Sequence, residues 1–92
     1  MTVEDDVKNI MESFEKKMDK NQEFYHVLDQ IGKHIIKLTR LKENEDRPGH
    51  FKEEVADMYL LGKILLELEN VNDAELKAAS KHFLEKVKSI YG

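Results

Sequence analysis

Two stretches of this chain, from about Gln22 to Lys42 and from Phe51 to Leu68, carry apolar side chains over more than half of a helical circumference. The first holds Phe24, Val27, Leu28, Ile31, Ile35, Ile36, Leu38 and Leu41; the second is richer, with Val55, Met58, Leu61, Ile64, Leu65 and Leu66 among others. A helix that covers a core with one face needs only a stripe about 100° wide. A wider apolar surface has to be buried on two sides, so these two segments are expected at the centre of an all-α fold. A single Pro, few Gly and the absence of any alternating β-branched run leave no competing strand reading.

Two narrower helices flank the central pair. The first follows Thr2, whose hydroxyl can cap free N–H groups, with Glu4, Asp5 and Asp6 at the positive end of the helix dipole. Its apolar positions Val3, Val7, Ile10, Met11, Phe14 and Met18 recur at steps of three or four, the pattern of an outer helix. The last helix follows Asn72-Asp73-Ala74-Glu75, a capping box with Val71 and Leu76 placed as a hydrophobic staple. It presents Leu76, Ala79, Phe83, Val87 and Ile90 on one side. Between the central helices, Glu43 to Gly49 is polar apart from Pro48 and reads as a surface loop.

At 92 residues and 40% hydrophobic content, the chain has material for one domain spanning 1–92. Four helices of this length leave too little other surface to cover two doubly apolar helices, so a homo-oligomer, at least a dimer, is expected. The absence of Cys excludes disulfides and thiolate metal sites and fits a reducing cytoplasm. The amino terminus is acidic where a secretory signal would be basic, and no apolar run approaches a membrane span. A net charge of -4, with lysines interspersed among acids, argues against nucleic acid as a partner. A soluble cytoplasmic protein without membrane attachment is the resulting expectation.

Candidate chemistry centres on Glu53-Glu54-Val55-Ala56-Asp57. Residues three apart share a helical face, so Glu54 and Asp57 can direct oxygens at one hard cation, Mg²⁺ or Mn²⁺. The helix that carries them is the most apolar of the chain, and a carboxylate pair there requires a cation or a basic partner. On the preceding helix, Asp29-Gln30-Ile31-Gly32-Lys33 has matching spacing but only one acid. Gly32 in a helix interior costs about 1 kcal/mol relative to Ala, and close packing of a neighbouring helix is its expected compensation. His26, His34, His50 and His82 lack metal-helix spacing and read as surface or boundary residues, with His26 and His50 each four residues before a motif position.

These two segments resemble the motifs of the MazG-like all-α nucleoside triphosphate pyrophosphohydrolases, E-E-x-x-E on one helix and E-x-x-D on the next. Glu53-Glu54-Val55-Ala56-Asp57 fits the second completely, whereas Asp29 to Lys33 fits the first in register and glycine but not in its acids. The closing Glu85-Lys86-Val87-Lys88-Ser89-Ile90-Tyr91 is similar to the family's basic-then-aromatic end, so the resemblance covers about residues 20 to 92. It implies a four-helix bundle, Mg²⁺ or Mn²⁺, and hydrolysis of a nucleoside triphosphate to the monophosphate and pyrophosphate. Carried across, the ligand positions become Gln30, Lys33, Glu54 and Asp57, with Glu54 and Asp57 as the catalytic pair.

Two readings follow from the altered first motif. In one, Lys33 replaces the metal by pairing with Glu54 or Asp57 and the chain is a diverged pyrophosphohydrolase-related protein with hydrolysis weakened or lost, the alternative being a non-catalytic helical oligomerisation or regulatory module. In the other, Asp29, Glu53, Glu54 and Asp57 hold one Mg²⁺ in a shifted position, while Lys33 and Lys86 contact the nucleotide.

Overall fold

Residues 1–44 and 47–92 are described by a computed structural model. The chain is all-α, with helices α1 (Val3–Glu15), α2 (Lys20–Asn44), α3 (Pro48–Leu68) and α4 (Asp73–Tyr91), and no strand among the described residues. No described helix is long and apolar enough to cross a membrane.

Helix boundaries follow local chemistry. Thr2 caps α1 in a capping box with Asp5, each backbone N–H donating to the other's side chain at 3.1 Å. The same device opens α2, where Asp19 and Gln22 exchange bonds at 2.8 and 2.9 Å, so this helix begins earlier than its apolar pattern indicates. Pro48 occupies the first turn of α3, where its missing N–H costs nothing, and Arg47 before it is outside the helical region, at φ -143° and ψ 74°. The expected loop from Glu43 to Gly49 is thus shorter than anticipated. Glu43 and Asn44 close α2, Pro48 and Gly49 open α3, and Glu45 and Asp46 lie outside the described residues.

Helices α2 and α3 form an antiparallel pair, and α1 lies across one side of it. The shared core is Val7, Val27, Leu61 and Ile64, with Ile10, Met11, Phe14, Ile31, Leu60, Leu65 and Leu68 packed against it. An edge contact of Phe14 on His26, 4.9 Å between ring centroids, closes the α1–α2 corner. Among the described residues α4 packs on none of the other three helices. Its expected apolar stripe is present, but Leu76, Phe83, Leu84 and Ile90 are exposed. The bundle within one chain is therefore three helices with a fourth standing apart.

The exit of α4 is built by the end of α3. Val71 N–H donates to the Leu66 carbonyl at 2.9 Å and Asn70 N–H to the Glu67 carbonyl at 3.2 Å, the paired bonds of a Schellman motif. Asn70 supplies the left-handed residue, with φ 54°, and the capping box of Asn72 with Glu75 starts α4 at once. Gly32 departs from expectation: a Cβ built there meets nothing within 4 Å, so no helix of the same chain packs closely on it.

Glu23 is fully buried one turn before Val27, and neither carboxylate oxygen meets a donor. Burial first, and then the neighbouring Glu15 carboxylate, push its pKa up to about 7, with Lys20 opposing. Lys20 donates to Glu15 at 2.9 Å and holds that carboxyl low. The folded state therefore binds a proton on Glu23 that the unfolded chain releases near the ordinary carboxylate value. The stabilisation from that proton is complete below about pH 4.5 and is lost as pH rises through about 7. Glu23→Gln, which keeps the shape of the protonated side chain, is expected to melt higher than the parent above pH 7, with the difference vanishing toward pH 4.5. Each kcal/mol gained should appear as roughly 4–8 °C in a domain of this size. Parallel Tm profiles for the two proteins across that range would show that Glu23 does not hold the proton.

Candidate functional site

The α2–α3 seam contains one deeply placed charge. Glu54 falls on the same stripe of α3 as Leu61, and its side chain is 8% exposed. An ionised carboxylate at such a position needs partners, and α2 supplies them. Lys37 Nζ donates to Glu54 Oε1 at 2.6 Å, and His34 Nε2 lies 2.9 Å from Glu54 Oε2 and 3.2 Å from Asp57 Oδ2. From α3 itself, His50 Nε2 approaches Glu54 Oε1 at 3.6 Å. The Lys37 hydrogen bond, followed by the charges of Lys37, His34 and His50, holds the Glu54 carboxyl below the usual carboxylate value in spite of burial.

The orientation of His34 restricts what can sit beside it. Its Nδ1 lies 2.8 Å from the Gln30 carbonyl oxygen, which can only accept, so Nδ1 carries the hydrogen. Nε2 then faces two carboxylate oxygens, which also only accept. A hydrogen shared between Nε2 and a carboxyl oxygen, or a metal ion between the three groups, satisfies this arrangement. Ligand atoms of His34, Glu54 and Asp57 all lie within 4.8 Å of one another, a spacing compatible with one ion. A histidine that donates its other ring N–H to a backbone carbonyl is the common second-shell arrangement of metal sites. The donor set of one imidazole and two carboxylates suits Mn²⁺ or Zn²⁺ better than Mg²⁺, which prefers oxygen alone.

Space beside the cluster is small. His34 and Asp57 share a cleft of about 180 Å³ with Ile10, Leu60, Leu61 and Ile64. Ligand sites for organic molecules usually occupy roughly 300–1,000 Å³. Ile10 belongs to α1, so the first helix roofs the site on this side.

Of the residues proposed from sequence, the structure brings Glu54 and Asp57 together and separates the others. Glu53 is exposed, its nearest basic atom being His50 Nδ1 at 4.0 Å. Asp29 is exposed and pairs with Lys33 at 3.1 Å one turn along the same helix. Lys33 therefore does not reach Glu54 or Asp57; the ammonium in the seam belongs to Lys37, one turn further on. Gln30 contributes its backbone carbonyl to His34. Lys86 lies on α4, apart from the seam. His34, read from its spacing as a surface or boundary residue, is instead a central member of the cluster.

A signal for His34 and Lys37 was present in the spacing. Residues 30, 34 and 37 step by four and three along α2, as residues 50, 54 and 57 do along α3. Antiparallel packing at matched depth sets 37 beside 54 and 34 beside 57. Gln30 shares that stripe, whereas Lys33 lies on a different face of the same helix, toward Asp29.

Because Glu54 has a lowered pKa in the folded protein, its contribution to stability is present above the unfolded carboxylate value and is lost as pH falls through the folded one. Lys37→Met removes the main cause. Exposed ion pairs contribute up to about 1 kcal/mol and breaking a buried one costs about 3–5 kcal/mol. With Glu54 buried and Lys37 half exposed, a loss on the order of 2 kcal/mol is expected near neutral pH. Urea titrations should show this gap narrowing as pH falls below the carboxylate range. A gap independent of pH would mean that the lysine acts through packing of its stem alone.

Comparison of the chain with protein-family models, with curated proteins and with solved structures found no match.

Proposed function

We propose that this chain is a diverged MazG-like protein in which a lysine of the chain itself takes the place of a catalytic metal, leaving a helical self-assembling module without nucleoside triphosphate hydrolysis. The observation that carries the reading is the 2.6 Å bond from Lys37 to the buried Glu54, the residue that the E-x-x-D resemblance makes a metal ligand. Lysine has no acceptor, so it cannot share a cation; it can only compete for the carboxylate oxygen. Two further observations support the loss of hydrolysis. The positions matching the other acidic motif are Gln30 and an outward Lys33 paired with Asp29. The cleft at Asp57 is smaller than an organic ligand of nucleotide size requires.

The role that remains is association. Tyr25, Leu28, Ile35, Ile36, Val55 and Tyr59 are exposed on the two central helices, more apolar surface than scattered single residues would give. A homo-oligomer is the assembly that covers them, in keeping with an acidic chain that has no basic patch for nucleic acid.

A second reading rests on His34. Its Nε2, aimed at two carboxylates with Nδ1 already committed, supports a Mn²⁺ or Zn²⁺ site formed with Glu54 Oε2 and Asp57 Oδ2. The buried Glu54 Oε2, without a well-formed hydrogen bond, is suited to such a ligand role. An ion there would supply Lewis-acid chemistry, with His34, Glu54 and Asp57 as its holders.

Pyrophosphate release from the common nucleoside triphosphates with Mg²⁺ or Mn²⁺ is expected to be absent. In the same preparations Lys37→Gln, which frees Glu54 Oε1, should gain thermal stability on adding Mn²⁺, while the parent gains little. Turnover by the parent that disappears in Glu54→Gln would overturn the non-catalytic reading. Stabilisation of the parent by Mn²⁺ or Zn²⁺ that is abolished by His34→Gln would favour the second.

A further inference from the structure

The accessible surface of the chain is 7421 Å². A compact monomer of 10.8 kDa is expected to expose only about 5,500 Å². Its radius of gyration is 15.6 Å, against about 12 Å for a compact domain of this length. The excess, roughly 1,900 Å², lies within the range that one partner of an obligate homodimer buries, roughly 1,000–2,500 Å².

Two surfaces account for it. One is the stripe of α4 formed by Leu76, Phe83, Leu84 and Ile90, all exposed, with Val87 between them. The other is the side of the α2–α3 pair away from α1, with Leu28 and Ile35 exposed on α2 and Val55 on α3. A groove of about 410 Å³ runs there between Leu38 and Thr39 of α2 and Phe51 and Val55 of α3, with no α1 residue in its wall. Gly32 and Gly62 have open space at the position of a Cβ, so they do not obstruct a helix laid on their two helices.

One occupant fits. A 19-residue helix is about 28 Å long, close to the roughly 31 Å of the 21-residue α3. Helices of this size owe most of their stability to packing of the apolar face, and among the described residues α4 packs on no other helix of its own chain. The short connection through Asn70 and Asn72 is capped at both ends and holds α4 off the other three helices among the described residues.

We infer that α4 of one copy seats its Leu76–Ile90 stripe on the open α2–α3 face of a second copy, and that the second copy returns its own α4 in a closed two-fold exchange. This inference rests on the proposal that the chain self-associates, and it names the surfaces that meet. The two-fold arrangement buries both unpartnered faces of both chains and leaves neither an unpaired donor helix nor an unpaired acceptor face.

Complementation between two full-length variants tests the exchange. Phe83→Asp with Val87→Asp disables the donor helix, and Ile35→Asp with Val55→Asp disables the receiving face. Light scattering at micromolar concentration should give a dimer for the parent and a monomer for each variant. An equimolar mixture should recover a dimer, because the intact α4 of one variant can seat on the intact face of the other. A dimer from the donor variant alone would show that the α2–α3 faces pair with each other. A dimer from the receiving-face variant alone would show that α4 pairs with α4. Either result overturns the exchange while leaving self-association intact, whereas a monomeric parent overturns both.

Hydrogen exchange of the unmodified chain gives a measurement independent of how the variants fold. The amides of α4 should be protected at concentrations where the dimer forms and lose protection on dilution to monomer. Unprotected α4 amides in the dimer would overturn the inference.

Discussion

Glu54 stays ionised inside the α2–α3 seam because Lys37 and His34 reach it from the opposite helix. Those contacts fix both the direction and the register of the pair, since 37 lies beside 54 and 34 reaches both 54 and 57. Carried two turns along, the same register brings Val27 alongside Ile64, the two most deeply buried apolar side chains of the core. A slip of one turn would set Leu38 and Leu41 against Glu54 in one direction, or Gln30 and Lys33 in the other, and would displace the cleft into which α1 places Ile10. The charged contact thus acts as a register pin for packing that is otherwise apolar and permissive, a role attested for buried polar groups in helical bundles.

The second buried carboxylate, Glu23, is solved differently. It has no cation in hydrogen-bond reach and retains a proton with the help of Glu15, whose own charge is taken up by Lys20. The core of a small three-helix unit therefore contains one carboxylate kept charged by a partner and one kept neutral by burial. They bias stability in opposite directions with pH: Glu54 favours the folded state away from acid, Glu23 favours it away from alkali.

A chain of this size has a restricted ability to bury its own surface. Three helices here enclose a few fully buried apolar side chains, and the rest of the apolar content lies on the open face and on α4. Among the described residues α4 packs on none of the other three helices, so its apolar stripe and the open α2–α3 face are both left exposed within one chain.

Periodicity and capping chemistry in the sequence determined the four helices, since these depend on neighbours within a turn: Thr2 caps α1 and Asn72 forms its capping box with Glu75 as expected, whereas Pro48, expected in the loop, lies in the first turn of α3. They also determined that two helices have more apolar surface than one core can take up. The candidate site was legible only in part. Glu54 and Asp57 stand out because two acids on an apolar helix need a cation, but which residue supplies it depends on rotation and register between two helices. Lys33 and Lys37 are the same residue type one turn apart, and only the packed pair shows that Lys37 points inward while Lys33 turns out to Asp29. The position of α4 was likewise decided at the tertiary level: its amphipathic stripe is legible in the sequence, but which surface a stripe meets depends on packing beyond its own turns, and among the described residues it meets none of the other three helices.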